Sequence, residues 1–279
     1  MDFNSILNNI NEIAEQLFNT VEDEVYSSLD NVTSIGVDVL KVEPLSNLFN
    51  ENSINGIMII ANSFLIFYAT YYIFTQLLSL FNGNKAENVY AFTSKLLLVT
   101  LLINSSYFIC ETILNLNENL ELAIAEYGED ISGNKINFTS LKEKIISIED
   151  FLNTNLISLD GIIKGVISFG SISILISFSI RYVFVILLIF IFPIAISLSA
   201  SELTQGLFLN YIKLLITNLL IGSLVKIIII IPLMYKDTDS TMYKIILVGS
   251  IYIIYKINNY SKEIFAVFKQ HKQRSNLYE

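Results

Sequence analysis

The chain has 279 residues, of which 53% are hydrophobic and only 15% charged, and its net charge is −9. The charges crowd outside a few long apolar runs that a soluble fold could not hide from water, so lipid is the expected solvent. The acidic balance argues against a nucleic-acid surface outside the membrane, because phosphate binding needs clustered Lys and Arg.

Residues 1–53 carry ten acids and one lysine. The start, MDFNSILNNINEIAEQ, has no basic n-region and no continuous apolar stretch, so no cleavable signal is expected. Ile6, Ile10, Ile13, Leu17, Val21 and Val25 recur at helical spacing, which predicts an amphipathic helix. Its acidic polar face disfavours anionic lipid, whereas packing against the second soluble segment or a partner helix would bury the stripe. Glu43-Pro44 is the expected stop before the membrane.

Ile54 to Phe81 gives 28 residues without a charge, more than the roughly 20 a bilayer core requires. After the turn Asn82-Gly83-Asn84-Lys85, a second apolar run lies between Lys95 and Glu111. Val89, Tyr90 and Phe92 extend it, with Lys95 snorkelling as an interface anchor. Residues 54–114 are therefore expected to hold transmembrane helices one and two, with Cys110 a small buried hydrophobe inside the second.

Residues 115–160 return to soluble chemistry and read as a central helical lobe. Leu116, Leu120, Ala123 and Tyr127 form a stripe that ends at Gly128 and the Gly133-Asn134 break. Ser140 with Glu143 is a capping-box pattern for a second helix carrying Leu141, Ile145, Ile148 and Leu152. Glu126, Glu129, Asp130, Ser132 and Asn134 lack the spacing and glycine of a calcium loop and read as a solvated acidic loop.

Residues 161–257 are expected to hold helices three to five. From Gly165 to Ala200, thirty-six residues are broken only by Arg181 and Pro193, so one long tilted helix to about Phe192 is expected, kinked at its exit by Pro193. Ser201 to Gly206 is the expected turn. The fourth span runs from about Leu207 to Tyr235 and the fifth from Met242 to Ile257, followed by a basic tail over 258–279. The fold class is thus all-α: a polytopic membrane helical bundle of about five spans, with interfacial Tyr68, Tyr71, Tyr107, Tyr235 and Tyr255 in place of the missing Trp.

Orientation rests on where basic residues lie close to the membrane. With the tail inside, Lys85, Lys95, Lys256, Lys262, Lys269, Lys272 and Arg274 fall in short cytoplasmic segments, whereas an equal number is diluted over long outer ones. The positive-inside rule then places the chain in the plasma membrane with its amino terminus and central lobe outside and its carboxyl terminus in the cytoplasm.

Three basic residues fall at membrane depth. Lys213 and Lys226 lie toward opposite ends of the fourth span and read as interface anchors. Arg181 falls near the middle of the third, where a charge costs roughly 2.5–3.5 kcal/mol on insertion scales, so it should face protein or water. It lines an anion path, meets a neighbouring subunit, or pairs within the fold with Glu111 or Glu202. Gly161 and Gly165 form a small-xxx-small pair for close helix packing. His271 is the single histidine, and no metal cluster, phosphate loop or nucleophile–base pair is present, so neither catalysis nor a cofactor is expected. No Asp or Glu is expected within a span away from its ends.

The run RYVFVILLIFIFPIAISLSASELTQGLFLNYIKLLI, from Arg181 onward, resembles the TrbL family, the polytopic inner-membrane subunit of type IV secretion systems. Arg181, Pro193 and the short turn before an aromatic-containing fourth span carry the likeness, and Arg181, Pro193, Glu202 and Tyr211, a Tyr where family members often have Trp, are the candidate translocation or intersubunit residues. The resemblance implies a channel or scaffold subunit without enzymatic activity, oligomeric with itself or with other secretion subunits. Its implied partners are cytoplasmic ATPases and, transiently, single-stranded DNA with its relaxase. Two rival readings are a small-solute permease or importer subunit, and a structural anchor for an extracellular complex.

Overall fold

The computed structural model describes residues 24–41, 56–82, 89–146, 159–237 and 240–257. All regular structure among them is helical. In chain order these are α1 (24–33) and a 3-10 turn (Val37–Lys41), then α2 (Ile57–Phe81), α3 (Val89–Asn104), α4 (Ser106–Ser132), α5 (Phe138–Ile146), α6 (Leu159–Ser197), α7 (Glu202–Leu233) and α8 (241–257). The stripe from Ile6 to Val21, the Pro44 stop, residues 83–88, Ile148, Leu152 and the basic tail lie outside the described residues.

Three helical stretches are long and apolar enough to cross a membrane: Ile57–Phe81, Phe169–Ala200 and Glu202–Leu233. A fourth arises if α3 and α4, which meet at 63°, form one broken span. The described part of α8 is shorter than the roughly 20 residues a bilayer core requires. In place of the expected five spans, the described residues therefore supply three to four candidates. Their outward faces suit lipid, with Ile66, Phe67, Phe74, Val183 and Leu187 exposed. Several hydroxyls on these helices turn back to the backbone: Ser63, Thr70, Thr100 and Ser173 each donate to the carbonyl four residues earlier, which spares lipid from solvating them.

The chain divides into two compact units. The first draws on residues 1–35, 117–182 and 219–279. Its core gathers Tyr26 and Leu29 of α1, Phe138 and Leu141 of α5, Phe178 of α6, Val225 of α7 and Tyr243 and Leu247 of α8. Gly133, at φ 68, closes α4 by donating its N–H to the Glu129 carbonyl at 2.8 Å, a left-handed C-cap that glycine adopts without strain. The next helix begins earlier than its capping-box pattern predicts. Asn137 Oδ1 accepts the Ser140 N–H at 2.7 Å, and the Asp30 carboxylate accepts the N–H groups of Phe138 at 2.6 Å and Thr139 at 3.2 Å. These acceptors meet the orphan donors of the first turn, so Asn137, not Ser140, caps α5.

The second unit comprises residues 36–116 and 183–218. In it α2 and α3 form a hairpin in which Tyr72 stacks on Phe92 with ring centroids 3.6 Å apart. α6 runs on through Pro193 to Ser197, and the connection to α7 is Leu198–Ser201 rather than residues 201–206. The hydroxyls of Ser197, Ser199 and Thr204 take up the carbonyls of Ile194, Ile196 and Leu198, which ends α6 early enough for Glu202 to open α7.

Candidate functional site: a buried ion network on Arg181

Residue burial along α4 follows one face: Ile103 in the preceding helix, then Ser106, Cys110, Leu114, Asn117, Glu121 and Gly128. The spacing of three and four is that of a helix seam. The predicted stripe is the opposite face, since Leu116 is 65% and Tyr127 67% exposed. The predicted apolar stripe faces outward, and Ser106, Asn117 and Glu121 face in. The kink before α4 has a local origin: Asn104 and Ser105 interrupt the apolar run, and Asn104 Nδ2 bonds the Thr100 carbonyl at 3.0 Å, competing with the backbone ladder.

Within the first unit this inward face meets α1, α6 and α7. Arg181 is 3% exposed, Glu121 2% and Asn117 6%. Arg181 donates from Nη1 to the Thr33 carbonyl at 3.1 Å and from Nη2 to the Leu219 carbonyl at 3.3 Å, with its guanidinium 5.4 Å from the Phe178 ring centroid. Glu121 is the carboxylate whose charge acts on Arg181, in place of Glu111 or Glu202. Glu121 Oε2 also lies 3.2 Å from Lys226 Nζ. Asn117 Nδ2 bridges Glu121 Oε1 and the Ile35 carbonyl, each at 3.0 Å.

Gly222 makes room for this arrangement. A Cβ there would collide with Glu121 Oε1 and come within 2.9 Å of the Thr33 carbonyl. The carboxylate thus sits against bare α7 backbone, flanked by two cations. Removing these charges from water is expensive, and their mutual attraction in low dielectric offsets that expense only when every partner stays in place. The network does two things. It lets α4, α6 and α7 keep charged side chains inside an apolar bundle, and it fastens the end of α1 and the chain just after it, through the carbonyls of Thr33 and Ile35, against α4, α6 and α7.

The other residues singled out by sequence are dispersed. Lys226, expected at an interface, instead has a side chain only 15% exposed and joins the network. Lys213 is exposed. In the second unit, the Tyr211 hydroxyl donates to the Leu188 carbonyl, in the turn that Pro193 disturbs by lacking an N–H, and its ring lies 6.2 Å from that of Phe192. Glu202 is exposed at the start of α7, where it lines a cleft together with Lys95. Gly161 and Gly165 fall in the first turns of α6, whose side-chain packing there lies outside the described residues. No cluster of potential metal ligands occurs among the described residues.

Sequence reasoning missed Asn117, Glu121, Thr33 and Gly222. A signal was present: the seam through Cys110 and Leu114 continues in register to Asn117 and Glu121. No protein-family model, curated protein or solved structure matches the chain.

Proposed function

We propose that this protein is a channel-forming or channel-organising subunit of a type IV secretion machine in the plasma membrane. On this reading the chain crosses the membrane five times, α3 with α4 forming the second crossing and α8 the fifth, with its amino terminus outside and its carboxyl terminus in the cytoplasm. It works with cytoplasmic ATPases that supply energy and passes single-stranded DNA with its relaxase, or protein. The observation supporting the reading is the place of the segment that carries the TrbL-like pattern. From Arg181 to Pro232 it supplies the buried arginine, the bond from Tyr211 to the Leu188 carbonyl and the bare seat at Gly222. A likeness held in interior residues points to shared architecture, because those positions carry the packing.

One observation favours a second reading, an ion-coupled permease: Glu121 is a carboxylate inside a helical bundle, the position such carriers use. Deletion of the gene with co-purification of the tagged protein separates the two. The secretion reading predicts lost conjugative transfer and recovery of a secretion ATPase or coupling protein with the tag. Normal transfer, with solute uptake into proteoliposomes that responds to a pH gradient and fails in Glu121→Gln, would replace it.

A further inference from the structure

The second unit holds a cleft of ≈ 480 Å³ between the flank of the α2–α3 hairpin and the α6–α7 connection. That volume falls in the range of small-molecule sites, about 300–1,000 Å³. Its walls bring together groups that an apolar membrane helix does not otherwise gather: Lys95 from α3, Ser201 from the connection, Glu202 from the start of α7, and Tyr68, Tyr71 and Tyr72 from α2. Tyr68 fixes one wall to the other, its hydroxyl lying 3.2 Å from Thr204 Oγ1. The Tyr72 ring is held by its stack on Phe92, and its hydroxyl is buried without a hydrogen-bond partner among the described residues. Lys95 and Glu202 share the cleft, yet no ion pair joins either of them to another described residue. One full positive and one full negative charge therefore face the same small space unneutralised, beside three aromatic rings.

We infer that this cleft binds a zwitterion carrying an ammonium and a phosphate, the chemistry of an aminophospholipid headgroup. The phosphate meets the Lys95 ammonium and the Ser201 hydroxyl. The ammonium meets the Glu202 carboxylate and the tyrosine faces, which attract cations through their ring quadrupoles. A purely anionic headgroup would meet Glu202 as a like charge, and a purely cationic one would meet Lys95, so opposed wall charges select for a ligand bearing both. The inference rests on the cleft alone and not on the secretion reading.

The test is native mass spectrometry of the full chain in detergent, titrated separately with phosphatidylethanolamine, phosphatidylglycerol and soluble phosphoethanolamine. Saturable one-to-one binding of phosphatidylethanolamine is expected, at least tenfold tighter than phosphatidylglycerol and weakened at least tenfold in Lys95→Gln and in Glu202→Gln. Equal binding of soluble phosphoethanolamine supports the same site with a free ligand as its source, whereas its failure to bind assigns the lipid. The charge exchange Lys95→Glu with Glu202→Lys keeps both signs in the cleft and is expected to restore binding, which guards against loss through misfolding. Equal affinity for the anionic lipid, or neutralised variants that bind as the parent does, overturns the inference.

Discussion

Arg181 and Glu121 show how differently two buried charges read in a sequence. Arg181 stands alone in thirty-six otherwise uncharged residues, so its isolation announces a partner. Glu121 lies among Asn115, Asn117, Glu118 and Asn119, where one more acid looks like solvated surface. Only the register of the helix separates it from Glu118, which is exposed. Breaking a buried pair strands its partner, whereas replacing both members with apolar groups removes the stranded charge. Glu121→Gln is expected to lose about 3–5 kcal/mol of stability. Glu121→Leu combined with Lys226→Met should recover a substantial part of what Glu121→Leu alone loses. Thermal unfolding in detergent, run as a double-mutant cycle, checks this; strictly additive losses would mean that the two residues do not interact.

At the scale of the element, long apolar runs located α2, α6 and α7, because a run long enough for a bilayer has few alternatives, though their ends are displaced by up to six residues. Ends fared worse. The start of α5 is governed by Asp30, 108 residues distant, and no local pattern around Ser140 could reveal an acceptor arriving from α1. The connection between α6 and α7 moved for a similar reason, since Ser197, Ser199 and Thr204 bond carbonyls that the sequence leaves unassigned. Asp30→Ala tests the long-range cap. It should destabilise the first turn of α5 by about 0.5–2 kcal/mol and speed hydrogen exchange at the Phe138 and Thr139 amides while leaving those near the middle of α7 unchanged. Unaltered exchange at both amides would show that Asn137 alone suffices.

For the whole molecule, composition pointed to lipid as the solvent and to the helical class, while the division into units was hidden. Each unit is assembled from segments far apart in the chain, and contacts of that kind leave no local trace. The basic residues near the membrane set a direct expectation for topology. Single cysteines placed at Asn134 and at Gln273, in a chain whose Cys110 is replaced by Ser, should react with a membrane-impermeant maleimide in intact cells at the first position only. Labelling of both or of neither would exclude an odd number of crossings, and labelling of Gln273 alone would invert the orientation.

The hold on the Thr33 carbonyl also sets an order of events during synthesis. Its donor, Arg181, is made 148 residues later, and the Leu219 carbonyl that shares this guanidinium later still. At roughly 5–20 residues per second, α1 waits on the order of ten seconds before its anchor exists. Through that interval the Glu121 carboxylate reaches the bilayer ahead of both its cations, Arg181 and Lys226. Whatever machinery inserts this chain must shelter it until α7 is released and the final bonds close.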